Sequence, residues 1–184
     1  MQEDDLILRS KHGDLESFNR LVEKYQREVY NLALRMLGQA SAADDATQEA
    51  FISAFRRIGQ LRSDNFRAWL LRITANACRD QLRSLRRHPT TPLDELVLDT
   101  EVDRSAQSPE DYAINQELGA EIANALLTIP NKQRLAVVLY DIEGLSYEEI
   151  AQVMNCSLGT VRSRISRGRE RLRHCLAQRV ELQP

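Results

Sequence analysis

Apolar residues recur at steps of three and four along most of this chain, and this spacing constrains its fold more than any other feature. Between residues 14 and 36 the stripe contains Phe18, Leu21, Tyr25, Val29 and Leu32. Because an α-helix turns once in 3.6 residues, side chains at this spacing share one helical face. The sequence has no strand-like alternation and no internal repeat. It therefore predicts an all-α protein.

Helix-capping and loop-forming residues divide the first half into four predicted helices. Gly13 ends a short first helix, and Asp14 caps the second. We expect Ser41 to cap the third helix, and the polar segment 59–65 to form a loop. The fourth helix is predicted over 66–87, with Trp69 on its buried stripe. The second half is predicted to hold helices over 113–128, 131–142, 146–154 and 157–178.

The helical periodicity fades over residues 89–112, where acidic residues, Thr, Ser and Pro dominate. Such a composition buries little apolar surface, which predicts a flexible acidic linker. The predicted architecture is two small helical domains, residues 1–88 and 113–184, joined by the linker 89–112. A chain of 184 residues with 42% hydrophobic residues is long enough for both. The sequence leaves open whether the two domains are held together.

Basic residues are concentrated in two segments, although the whole chain has a net charge of −2. Residues 56–88 contain nine arginines and two acidic residues, and residues 156–184 contain seven arginines and two acidic residues. Residues 1–55, before the first basic segment, and residues 89–155, between the two basic segments, carry a net negative charge. Two local basic surfaces predict a polyanionic partner such as nucleic acid.

A helix-turn-helix is predicted over residues 145–178. Ser146 and Glu149 have the spacing of a capping box, and Asn155-Cys156 forms a short turn before the second helix. In that helix Val161, Ile165, Leu172 and Leu176 share an inward stripe, with Gly168 at its centre. The polar residues that we expect to contact DNA follow the outer faces: Ser157, Thr160, Arg162, Ser163, Arg164, Ser166, Arg167 and Arg171. The alternative is a merely solvated helix, but such faces usually mix charges.

A second basic surface is predicted on the fourth helix and the loop before it. Its helical members recur at steps of three and four: Arg72, Asn76, Arg79, Arg83 and Arg86. The loop adds Arg62, Ser63, Asp64 and Asn65, polar side chains suited to receiving an unstacked base. A solvated helix face and an ordinary loop remain the alternative.

An acidic face is predicted on the third helix, where Asp45, Gln48 and Glu49 lie at i, i+3 and i+4. Carboxylates at this spacing raise the possibility of catalysis or metal binding, but no histidine or third carboxylate stands at ligand spacing. The face suits docking against a basic partner surface, and simple solvation is the alternative.

Together these motifs resemble the extracytoplasmic-function sigma factors of the sigma-70 family. The segment Asp45-Ala-Thr-Gln-Glu-Ala-Phe51 resembles their region 2.2. Phe66-x-x-Trp-Leu-x-x-Ile-x-x-Asn76 is similar to region 2.3–2.4, and Gly144-Leu-Ser-Tyr-Glu-Glu-Ile-Ala151 through Gly159-Thr-Val-Arg-Ser-Arg164 resembles region 4.2. The resemblance covers nearly the whole chain in the family's order.

The resemblance implies a role for each surface. Asp45, Gln48 and Glu49 would dock on the clamp helices of the largest subunit of RNA polymerase, and region 4 would meet the flap region. Asn76, its neighbouring arginines and the 60–65 loop would hold the melted −10 strand. The helix from Ser157 would read the −35 duplex. An anti-sigma protein is the further partner that the resemblance implies.

No catalytic site, cofactor or metal site is expected. The three cysteines and three histidines have no ligand spacing, and the odd number of widely spaced cysteines predicts reduced thiols in a cytoplasmic protein without a membrane span. Two other functions fit part of the pattern: a decoy that binds an anti-sigma protein, and an ordinary helix-turn-helix regulator. The decoy has no need of the arginine-rich helices, and the regulator has no need of the acidic docking face.

Overall fold

The structure is a computed structural model that describes residues 2–62, 65–87 and 109–180, without the side chains of residues 86, 109–118 and 179–180. Within these ranges the chain is all-α, as predicted. Its eight α-helices are α1 (Glu3–Lys11), α2 (Leu15–Leu37), α3 (Ala40–Arg57), α4 (Phe66–Arg87), α5 (Pro109–Thr128), α6 (Asn131–Val137), α7 (Tyr147–Met154) and α8 (Leu158–Val180). A 3-10 turn over Ile58–Gln60 follows α3, and a π-helical turn over Val138–Ile142 follows α6.

The first four helices pack around the stripe that the sequence predicts on α2. Leu21 and Val29 are completely buried there. The rings of Tyr25 and Phe66 lie 5.5 Å apart, and Trp69 lies 5.7 Å from Phe66. Trp69 is thus a partly buried packing residue, as its place on the inward stripe predicts.

The helix boundaries in the first half follow their predicted caps with one exception. Asp14 accepts hydrogen bonds from the amides of Glu16 and Ser17 at the start of α2, as predicted. The expectation that Ser41 caps α3 is wrong. The helix begins one residue earlier, because the Gln39 carbonyl already accepts from the Ala43 amide at 2.9 Å. Ser41 therefore lies inside the first turn, exposed to solvent.

In the second half, α5 begins at Pro109, four residues before the predicted start of that helix. Proline is favoured at the first helical position, since its missing amide hydrogen would have no partner there. The predicted helix over 131–142 forms over its whole length, but its last five residues are the π-helical turn.

The two halves are packed together through a continuous core. Leu71 of α4, Leu126 of α5 and Ile150 of α7 are each almost completely buried in one cluster. Helix α2 contacts α5, and α4 contacts α7. The arrangement that the sequence left open is therefore a closed one in this structure.

Candidate nucleic-acid interface

The helix-turn-helix is built as its capping pattern predicts. The Glu149 amide donates to Ser146 Oγ at 3.2 Å, and the Ser146 amide donates to Glu149 Oε2 at 2.8 Å. That backbone hydrogen bond is the main reason why the pKa of Glu149 lies below its usual value. Asn155 then closes α7 in the left-handed conformation, with φ of 48°, and this turn directs the chain into α8.

Helix α8 turns its predicted apolar stripe inward. Val161 and Ile165 are buried, and Gly168 is buried against α6. Ser157 caps the helix by accepting from the Thr160 amide at 3.3 Å. Of the predicted DNA-contacting residues, five are exposed: Ser157, Arg162, Ser166, Arg167 and Arg171. The other three are half-buried: Thr160, Ser163 and Arg164.

The arginines of α8 differ in the groups that their side chains contact. Arg167 and Arg171 extend into solvent. Arg164 folds back on the turn, where its guanidinium lies 3.4 Å from Cys156 Sγ. The Arg162 guanidinium lies over the Tyr147 ring, 5.7 Å from its centroid. The guanidinium groups of Arg164 and Arg162, which are already fixed, lose less side-chain entropy when they bind DNA. The exposed side chains of Arg167 and Arg171 can instead adjust to the DNA phosphates.

Arg169 belongs to the scaffold of the helix-turn-helix. Its Nε donates to Asp141 Oδ2 at 3.0 Å, and its guanidinium lies 5.1 Å from the centre of the Tyr140 ring. Tyr140 in turn stacks on Tyr147 at 4.9 Å. Sequence reasoning missed this cluster, because Asp141 and Arg169 are 28 residues apart and on different elements.

The basic stripe on α4 is exposed over much of its length. Arg72, Arg79 and Arg83 reach solvent, and Asn76 is half-buried. Arg83 forms an ion pair with Asp80 at 3.5 Å, and both side chains are largely exposed. Of the other predicted members, Arg62 is exposed, while Ser63, Asp64 and the Arg86 side chain lie outside the described residues.

Asn65 has two roles that the sequence did not indicate. Its Oδ1 accepts from the Ala68 amide at 2.8 Å, which caps α4. Its Nδ2 donates to Glu149 Oε1 at 2.5 Å. The loop before α4 therefore contacts the first helix of the helix-turn-helix.

The acidic face of α3 lines one wall of a shallow groove against α4. Asp45, Gln48 and Glu49 are all exposed, as predicted. The apolar part of the groove comes from Ala46, Ile52 and Ala77, and the α4 wall is completed by Asp80 and Gln81. Sequence reasoning did not identify Asp80 as a residue that lines this groove. A second groove beside the first joins Glu49 to Asn76 and Arg79.

Neither a metal site nor a redox pair is present among the described residues. They hold no cluster of three metal-ligating side chains. Cys78, Cys156 and Cys175 are free thiols, and burial raises the pKa of Cys78 to about 12. No helix in the described ranges is long and apolar enough to cross a membrane.

Comparison with known proteins relates both halves to one family. Residues 21–88 match the family described as Sigma-70 region 2, and residues 119–172 match Sigma-70, region 4. The chain is 38% identical to the RNA polymerase sigma-H factor of Pseudomonas aeruginosa, over 92% of this chain and 91% of that protein. It is 37% identical to the ECF RNA polymerase sigma-E factor of Escherichia coli strain K12, over 90% and 89%.

Solved structures agree with the fold. CnrH, in a complex with the cytosolic domain of CnrY, matches 94% of this chain and 96% of its own chain. The TM-score is 0.69 at 24% sequence identity.

Proposed function

Because the chain belongs to the RNA polymerase sigma factors of the extracytoplasmic-function group, which direct transcription initiation, we propose that it divides this task among three surfaces. The observation that carries the proposal is that the three surfaces use different residues. The outer face of α8, the basic stripe of α4 and the acidic groove beside α3 are built from different residues, and each has its own chemistry.

We assign the outer face of α8 to the −35 duplex. Arg167 and Arg171 are exposed and free to reach phosphates or guanine edges. Ser157, at the start of the helix, is exposed at the end of α8 whose partial positive charge favours a phosphate. The Arg164 guanidinium contacts Cys156 Sγ, and the Arg162 guanidinium lies over the Tyr147 ring. These contacts limit the positions that the two side chains can take.

We assign the α4 stripe to the melted −10 strand. Arg72 and Arg79 supply positive charge for the backbone, and Asn76 between them offers a donor and an acceptor to a base edge. The predicted loop residues Arg62, Ser63, Asp64 and Asn65 adjoin this stripe in the sequence, and Arg83 and Arg86 extend it toward the end of the helix.

We assign the groove between α3 and α4 to the polymerase core. Asp45 and Glu49 give it negative charge, and the 39% exposed Ile52 gives it an apolar contact. A basic helix with apolar residues on the same face fits this combination. Asp80 extends the charge onto the α4 wall, so we propose it as part of the docking surface.

The chain would act as a non-catalytic subunit in the cytoplasm, where polymerase and DNA are found. CnrH has been solved in a complex with the cytosolic domain of CnrY, and we propose that this chain too binds a protein, an anti-sigma factor. A decoy that only binds such a partner would not need the exposed arginines of α8 and α4.

Run-off transcription from a genomic promoter library tests the proposal. Purified bacterial core polymerase is assayed with and without the full chain. New discrete start sites that share a −35 and a −10 pattern are the expected result. A folded chain that binds core but yields no new starts would contradict the DNA assignments, and one that does not bind core would contradict the docking assignment.

A further inference from the structure

A large apolar side chain is exposed at the start of the second helix of the helix-turn-helix. Leu158, the first residue of α8, is 40% exposed. The described aliphatic residues that follow it turn inward: Val161 and Ile165 are buried, and Leu172 and Leu176 are half-buried. Among the described residues, Leu158 belongs to neither of the two apolar clusters. Its exposure is therefore an exception within its own helix.

The position of Leu158 distinguishes it from other exposed leucines. Single exposed leucines are common on protein surfaces and need no function. Leu8 of α1 and Leu15 of α2 are even more exposed, at 58% and 56%, and lie outside the three surfaces assigned above. Leu158 lies instead at the start of the helix that enters the major groove in a helix-turn-helix, where the first residues contact base edges.

The neighbours of Leu158 leave it accessible to a duplex. Ser157 Oγ and Thr160 Oγ1 lie 2.9 Å apart and form a hydrogen bond, and Ser157 Oγ also accepts from the Thr160 amide. Both hydroxyl groups thus already have a partner within this end of the helix. At Gly159 a Cβ would meet nothing within 4 Å, so the backbone beside Leu158 lies open. A base edge can therefore approach this end of α8 closely.

The chemistry of the Leu158 side chain selects one group on the base edges. In the major groove the bases present hydrogen-bond donors, hydrogen-bond acceptors and the C5-methyl group of thymine. A leucine side chain makes no hydrogen bond, so it leaves a polar base group without a partner when it removes water from it. Contact with a methyl group instead buries apolar surface on both sides and stabilises the complex.

A cation follows Leu158 on the same side of the helix. Arg162 is four residues later, so the two side chains are neighbours along α8. Its exposed guanidinium lies over the Tyr147 ring, 5.7 Å from the centroid. A positive charge next to the apolar contact favours the phosphates beside the base that Leu158 faces.

From these observations we propose that Leu158 is a specificity-determining residue, which contacts the C5-methyl group of a thymine in the −35 duplex. The inference rests on the proposed −35 role of α8 and names the base group that one residue reads. Leu158 selects an A·T pair at one position, while the exposed arginines reach phosphates or guanine edges. The methyl contact contributes about fourfold to the affinity, the usual effect of burying one methyl group.

Replacement of thymine by deoxyuridine tests the contact, because deoxyuridine pairs as thymidine does and lacks only the C5-methyl group. Each thymine in the −35 element of a promoter found by run-off transcription is replaced in turn, on both strands. Competition against a fluorescent promoter duplex measures binding of the holoenzyme formed from core polymerase and the full chain. We expect one replacement to weaken binding of the parent holoenzyme about fourfold. With Leu158→Ala the same replacement should have almost no effect, because both changes remove one contact.

Three further variants serve as controls. Leu158→Met keeps a flexible apolar side chain and should retain most of the methyl effect. Arg167→Ala weakens binding to every duplex but should leave the fourfold effect unchanged, because Arg167 is nine residues later and on the opposite side of the helix. Leu15→Ala makes the same change at an exposed position on α2 and should behave like the parent chain.

Circular dichroism checks that Leu158→Ala is folded, as expected for alanine at an exposed helical position. If it does not fold, Leu158→Gln replaces it, because glutamine is a good helix former of similar length with a polar end.

An equal methyl effect in Leu158→Ala and the parent chain would overturn the inference, and so would a −35 element in which no deoxyuridine weakens binding. The proposed function would stand in both cases if other base changes in the element still weaken binding. A loss of core affinity in Leu158→Ala with an unchanged methyl effect would assign Leu158 to a protein contact and overturn the inference. If no base change in the element affects the parent holoenzyme, the proposed −35 role of α8 is itself wrong.

Discussion

Gly168 of α8 lies so close to Val137 of α6 that a Cβ on the glycine would be 2.6 Å from Val137 Cγ2. The same Cβ would be 3.2 Å from the Gln133 carbonyl oxygen, a backbone atom that has little freedom to move. The helix-turn-helix is therefore held on α6 by a contact that accepts no side chain, in the middle of the stripe formed by Val161 and Ile165.

Gly168→Ala is expected to lower the free energy of unfolding by about 1–3 kcal/mol, because its methyl group overpacks the contact with α6. The higher helix propensity of alanine offsets part of this loss. Thermal unfolding followed by circular dichroism measures the effect. Gly159→Ala is the control on the same helix, because a Cβ there meets nothing within 4 Å. That variant should be neutral or more stable by up to about 1 kcal/mol. Equal destabilisation of both would contradict the packing argument.

Glu49→Lys is expected to weaken binding to core polymerase by roughly tenfold or more, since a charge is reversed in the acidic groove. Binding to promoter DNA through α8 should not change. Fluorescence anisotropy with labelled chain and purified core measures the affinity. Glu23→Lys, at an exposed position on α2, makes the same charge change away from the groove. If the two variants lose core affinity equally, net charge rather than the groove is responsible.

Arg167→Ala is expected to weaken binding to a −35 duplex by about 1–3 kcal/mol if its guanidinium reads a base. If it contacts a phosphate, the loss should be similar for all sequences and the salt dependence should become shallower. Titrations at several salt concentrations separate these two roles. Arg169→Ala instead removes the partner of Asp141, so the thermal stability of the helix-turn-helix should fall. A loss of DNA affinity in Arg167→Ala together with a loss of fold would contradict the assignment.

The closed state is expected to weaken as pH rises from about 4.5 to 7. Burial, and secondarily Glu28, raise the pKa of Glu143 to about 7, against the opposing effect of Arg35 and Arg67. Because the closed state holds this proton more tightly than an opened one, its stabilisation is complete below pH 4.5 and is lost as pH rises through 7.

The distance distribution between spin labels on Asn19→Cys and Ala177→Cys, both exposed positions, measures this dependence when it is recorded between pH 5 and 8. The labelled chain also carries Cys156→Ser and Cys175→Ser, so that the partly exposed native thiols are not labelled. The groups facing Glu143 are Glu28 and Arg35 on α2 and Arg67 on α4. Glu143→Gln mimics the protonated side chain and should flatten the profile. A closed fraction that grows with pH in the parent chain would contradict the assignment to Glu143.

Features encoded within a few neighbouring residues could be predicted from the sequence. The Asp14 cap, the Ser146–Glu149 capping box and the inward position of Gly168 are of this kind, because periodicity and capping depend on local spacing. The expected cap at Ser41 was wrong because a helix can start one residue earlier whenever its backbone bonds allow.

The contacts between the halves could not be predicted in this way. Arg134 and Met36 are 98 residues apart, and Asn65 and Glu149 are 84 apart. In the sequence, Arg134 has the pattern of an ordinary helix residue and Asn65 that of an ordinary loop residue. Their roles become visible only when the two halves are packed together. The sequence indicated two basic surfaces and one acidic face, but it contained no local sign that Asn65, in the loop before α4, contacts the other half.

Among the described residues, Arg134 of α6 donates hydrogen bonds to three backbone carbonyls, those of Met36, Leu127 and Ile129. These partners have a consequence for how the protein can change over evolution. Every residue type has a carbonyl, so substitutions at Met36, Leu127 or Ile129 leave the acceptors in place. Only replacement of Arg134 itself, or displacement of the helix ends, removes these bonds. These three hydrogen bonds are thus insensitive to substitution at the acceptor positions and depend on Arg134 alone at the donor position.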